Sequence, residues 1–94
     1  MKYKVAELQG VPLDAAVAKA KGDEPGAAYS SDWSHGGPVI GRELIFFSEL
    51  PQHEGGPEVM AARCGRAEGR GRGHLISAMR AYVTDKFGET VELP

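Results

Sequence analysis

The clearest periodicity in the chain lies near its C-terminal end, where Leu75, Ile76, Met79, Tyr82, Val83 and Phe87 recur at the spacing of one helical face. That stripe predicts a long helix covering the core, closed by Gly88 as the C′ residue. A second stripe, Leu13, Ala16, Val17 and Ala20, predicts a helix from about Pro12 to Lys21. Pro12 suits its start, Asp14 its first turn and Gly22 the position beyond its end. Its alanine face suits close packing against another helix.

Elsewhere the pattern has period two. Tyr3 and Val5 alternate with Lys2 and Lys4, and Val91 and Leu93 share one side of the last residues. Both stretches predict short strands, and the two are candidates to pair. Glu58 to Cys64 also alternates and is the third candidate strand. Ala6 to Leu8 is expected to form a single helical turn before Gly10.

In the middle of the chain, Ser31 or Asp32 suits a cap, and Trp33 is expected to dock its ring on the core. Gly36 and Gly37 suggest a tight bend, and Pro38 to Leu44 a short helix with Ile40 and Leu44 on one face. A strand through Val39 and Ile40 is the alternative. Ile45, Phe46 and Phe47 are expected to form an apolar knot on the core. GDEPGAA and SELPQHEGGP read as loops, the second as a mobile one. The fold expected is α+β: a small single domain, residues 1–94, with two main helices, one short helix and two or three short strands.

Composition narrows the class. Ninety-four residues, 41% hydrophobic and 26% charged, describe one ordinary globular domain, which buries roughly 60–65% of its unfolded surface. Apolar runs are too short to span a bilayer, so no membrane partner is expected. A single cysteine, Cys64, excludes an intrachain disulfide, and with no signal peptide read at the start a cytoplasmic setting is expected.

The formal charge of −2 hides an asymmetry: residues 63–80 carry five arginines against Glu68 alone, leaving the rest of the chain acidic. This basic segment holds the arginine-glycine run GRAEGRGRGH. With its glycines and charges, residues 65–73 are expected to be a flexible loop feeding the main helix.

That run is the first candidate site. Glycines bring backbone N–H groups close to an anion, the helix N-terminus adds partial positive charge, and arginine side chains add direct contacts. Arg66, Arg70, Arg72 and His74 are the residues that would contact a phosphate or a nucleic acid. The run is no P-loop, since no Gly-Lys-Ser/Thr follows, and it contains no aromatic on which a base could stack. A solvated loop is the simpler reading.

The second candidate is Asp32, Trp33 and His35 beside Gly36 and Gly37, read as the lining of a small pocket with Asp32 orienting His35. A capped turn anchored by tryptophan is the simpler reading there. Ser31, Asp32 and His35 include triad residue types, but no nucleophile-elbow pattern accompanies them. Cys64 with His35, His53 or His74 lacks a thiol–imidazole signature, and the histidines show no metal-ligand spacing. Neither catalysis nor a cofactor or metal is expected.

Three separated stretches carry a family resemblance. They are Leu13-Asp14 with Ala16-Val17-Ala18, then Tyr29-Ser30 with Asp32-Trp33 and Gly36-Gly37-Pro38, then Leu75-Ile76 with Ala78-Met79-Arg80 and Tyr82-Val83. Gly88 and Val91 follow. In this order they resemble the NinX-type small phage proteins, over the chain from about Val5 to Pro94. The chain departs from that family's pattern at Ala15, where an aromatic is usual, and at Gly73-His74, where a Thr-Pro type of entry precedes the helix.

The resemblance implies a phage or prophage accessory protein and carries no established activity with it. The expected function is therefore a protein-interaction module, with Asp32, Trp33, His35, Gly36, Gly37 and Arg80 as its surface. Its partner would be a host or phage protein, with a homodimer as a variant. The alternative is a nucleic-acid- or phosphate-binding accessory using the arginine-glycine run.

Overall fold

The computed structural model describes residues 1–49 and 59–94. The order is β1 (Lys2–Lys4), a 3-10 turn (Val5–Glu7), α1 (Gly10–Lys21), α2 (Trp33–Arg42), β2 (Phe46–Glu49), β3 (Val59–Cys64), β4 (Ala67–Arg72), α3 (His74–Phe87) and β5 (Thr90–Glu92). The architecture is α+β, as expected. Among the described residues it has three helices and five strands, more strands than the two or three that alternation indicated.

The predicted main helix is α3, and it organises the rest. One side packs on β3 and β4, another on α1. Leu75, Met79, Tyr82 and Val83 are buried as the stripe required, while Phe87 is 39% exposed. Ser77, Ala78 and Ala81 are buried too, so the covered surface is wider than one stripe. The Ser77 hydroxyl donates to the carbonyls of Gly73 and His74 at 2.9 and 3.1 Å, which makes its burial tolerable.

Two antiparallel sheets flank this helix. The terminal strands pair, with Tyr3 opposite Val91. The second sheet has the order β2-β3-β4. Successive rows point to opposite sides. Phe47, Ala62 and Gly69 share the side facing α3, while Phe46, Arg63 and Glu68 share the outer side.

The expected loop at 65–73 is therefore mostly strand. In β4 the glycines and the charged residues alternate, with Gly69 and Gly71 buried and Glu68, Arg70 and Arg72 exposed. The reason is space. A Cβ on Gly69 would overlap the backbone of Ser77 and Ala81 in α3, so glycine here lets strand and helix touch.

The middle of the chain also differs from expectation. The short helix begins at Trp33, five residues before Pro38, and contains the glycine pair. Asp32 is its N-cap: one carboxylate oxygen accepts from the Ser34 N–H at 2.9 Å and the Ser34 hydroxyl at 2.7 Å. Gly36 is buried because a Cβ there would meet the Tyr29 carbonyl and Leu75. Packing thus overrides the poor helix propensity of two glycines.

Leu44 does not share a buried face with Ile40. It is 81% exposed, at φ 55°, and the next N–H, of Ile45, donates to the Ile40 carbonyl at 3.0 Å. That is a Schellman-type stop with leucine where glycine is usual. The apolar knot separates likewise, since strand alternation sends Ile45 inward and leaves Phe46 58% exposed. Of the SELPQHEGGP stretch, Ser48 and Glu49 close β2, and the remainder lies outside the described residues, as do Glu58 and His53.

Candidate functional site

The residues singled out in sequence regroup in space. Trp33 does not dock on the core: it is 56% exposed at the first position of α2. Its indole lies 6.3 Å from the His74 imidazole, between ring centres, at an angle of 48°. His74 in turn sits edge-on to Phe47, 4.6 Å away at 73°. Each ring arrives by a different route. Asp32 caps α2 and so sets Trp33, Gly73 precedes His74 at the start of α3, and strand alternation turns Phe47 toward the helix side.

Beside the Trp33 and His74 rings is a shallow depression of about 370 Å³, lined by Ser30, Ser31, Trp33, Arg72, Gly73 and His74 with the first apolar residues of α3; Phe47 adjoins His74 and is not on this lining. The two candidate sites are thus one place at this point: Arg72 and His74 from the first meet Trp33 from the second. Phe47 is the contributor that sequence reasoning missed. Its adjacency to His74 spans 27 residues, and no local pattern encodes it.

The other candidates fall elsewhere. His35 Nδ1 lies 3.3 Å from Asp32 and its ring sits edge-on to Tyr29 at 6.2 Å, with both the imidazole and the carboxylate half-exposed. The Ser34 hydroxyl and its N–H hold the Asp32 carboxyl below the usual carboxylate range, with His35 adding to the effect. It is Ser34, rather than Ser31, that shares this carboxylate. Gly36 is buried within α2 and Gly37 lies beneath the Trp33 ring, so neither forms a bend.

Arg80 leaves the expected surface altogether. Its Nε donates to the Leu8 carbonyl at 2.9 Å and its Nη1 to the Arg70 carbonyl at 2.7 Å, tying the approach to α1 to strand β4. Burial lowers its pKa. Arg70 lies 3.5 Å from Glu68 along the outer side of β4, and Arg66 sits in the turn before it. The four proposed anion contacts are therefore strung out from the turn before β4, along that strand, to the first residue of α3, and do not gather at the helix N-terminus.

Cys64 is buried on β3, and its thiol is pushed up to about 11, chiefly by burial and then by the negative charges of Asp85 and Glu43. At neutral pH such a thiol is protonated and a poor nucleophile. Among the described residues, no three His, Cys, Asp or Glu side chains are grouped to hold a metal ion. Nor is any helix among them long and apolar enough to cross a membrane.

Fold and site together define a small α+β domain with an aromatic-imidazole depression beside a basic strand. No protein-family model matches the chain, and no curated protein matches it.

Proposed function

We propose that this chain is a binding module: an accessory protein of the NinX-like phage and prophage type, working in the cytoplasm of a bacterial host. It engages a partner protein through the depression at Trp33 and His74. The observation that carries this reading is the exposure of Trp33. A tryptophan half in solvent, tilted against an imidazole and rimmed by Arg72, Ser30 and Ser31, has the make-up of an interface anchor. The partner segment that fits places one apolar or aromatic side chain against the indole and an acidic group toward Arg72.

Affinity capture from phage-infected or lysogenic cells tests it, alongside sedimentation of the purified protein to detect a homodimer. The expected result is a partner, or a second copy, held by the parent chain and lost with Trp33→Ala at unchanged melting temperature. A set of bound proteins and a sedimentation coefficient both untouched by Trp33→Ala and by His74→Ala would defeat the reading. Trp33 is the chain's only tryptophan, so its emission reports engagement directly.

One observation favours nucleic acid as a second reading. The run itself contains no aromatic, but the sheet register sets exposed Phe46 directly across from Arg63, with Arg70 one row along on the same outer face. A stacking ring beside guanidinium groups is the composition of a single-strand platform.

A further inference from the structure

A groove of about 850 Å³ runs over α3 between the turn into β4 and the ends of the terminal strands. It shares no lining residue with the depression at Trp33. Its lining takes Arg66 and Arg70 from β4 and the turn before it, Lys4 from β1, and Arg80 and Thr84 from α3. Glu68 and Glu89 are the carboxylates on its lining, and Glu68 is already paired with Arg70. Four cations against two anions leave a surplus of two positive charges, in a chain whose net charge is −2.

Arg80 is the feature that points to a ligand. Its guanidinium is half-buried and fixed by two carbonyls, both neutral. Among the described residues no carboxylate lies within ion-pair distance of it. A partly desolvated cation held by neutral acceptors keeps its charge uncompensated, and an anion arriving beside it would offset that cost. The two carbonyl bonds also hold the fork in place before binding, which lowers the ordering cost for whatever arrives.

We propose that this groove binds a small ligand through a phosphate monoester or diphosphate group, seated on Arg80 and clasped by Lys4 and Arg66. A phosphate monoester carries about −1.5 to −2 at neutral pH, which matches the surplus; a lone carboxylate carries half that. Arginine forks suit phosphate oxygens, and the hydroxyls of Thr84 and Thr90 add neutral donors on the lining. The site is built along the middle of α3 and owes nothing to that helix's N-terminus.

The test is a titration of the full chain with inorganic pyrophosphate, followed by calorimetry and by backbone amide shifts. Saturable binding is expected, with shifts concentrated at residues 4–6, 66–70 and around 80. Lys4→Ala combined with Arg66→Ala removes two exposed side chains, so it should weaken binding by about tenfold or more at unchanged melting temperature. Arg80→Lys keeps the charge but loses the fork, and it should weaken binding as well. Absence of saturable binding overturns the proposal, as does affinity indifferent to the double variant. Shifts centred on residues 74–76 would assign the anion to the start of α3 instead. An eight-nucleotide thymidine strand that binds while pyrophosphate does not would reassign the basic surface to nucleic acid.

Discussion

Strand β4 and the corner between α2 and β2 treat glycine in opposite ways. In β4, Gly69 has an ordinary negative-φ backbone that any residue can adopt, yet α3 lies so close that no Cβ fits. At the corner, Leu44 holds φ 55°, where glycine is at ease and leucine is strained, yet its side chain stands almost wholly in solvent. One place requires glycine for space and has it; the other favours glycine for backbone freedom and does without. A high glycine content therefore says little about flexibility until each glycine's neighbours are known. In this chain the densest glycine run is among the tightest contacts.

The sharpest way to break this comparison is at Gly69. Gly69→Val forces β4 away from the α3 backbone and should cost about 3 kcal/mol or more, read as a lowered urea midpoint or failure to fold. If the variant is as stable as the parent, the close approach of strand and helix is refuted. A second probe asks how closed the same layer is. Cys64 stands opposite Ala67 in the register on the helix side of the sheet. With its thiol raised to about 11 from 9.0, its thiolate fraction at pH 7.5 falls about 100-fold, and alkylation of the native protein should slow at least in proportion. Alkylation at the rate of a free thiol would show that layer to be open. The smallest effect is at the corner: Leu44→Gly removes the positive-φ penalty and no core contact, and should stabilise by about 0.5–1 kcal/mol. A loss of stability there would mean that the exposed leucine makes contacts of its own.

What could be read in the sequence follows from the same distinction. The α3 stripe, the α1 stripe and the terminal strands were legible because each is a local period set by one buried face. The extent of α2 was not, because Gly36 and Gly37 argue against helix locally, and only contact with Tyr29 and Leu75 explains Gly36. The strand nature of β4 was written in the alternation of glycine and charge, but glycine carries no hydrophobic signal, so the alternation read as a loop. At the candidate site, Trp33 and His74 were each picked out for their own chemistry. That they adjoin, that Phe47 completes the group and that Arg80 belongs to another surface are consequences of the tertiary arrangement, which no spacing along the chain records.

The pairing of β1 with β5 has a consequence for how the molecule is made. Lys2 to Lys4 are made well before their partners, Thr90 to Glu92, which lie 86 to 90 residues further along. Until β5 is made β1 lacks this mate, while β3, β4 and α3 are neighbours in sequence and can assemble as soon as they emerge. The clasp between the two ends closes last, since contacts so distant along the chain bear the largest loop-closure cost. Its closure also brings the two ends of this chain to one edge, so a permuted chain that joins them through a short linker and opens at another turn should keep the same native contacts.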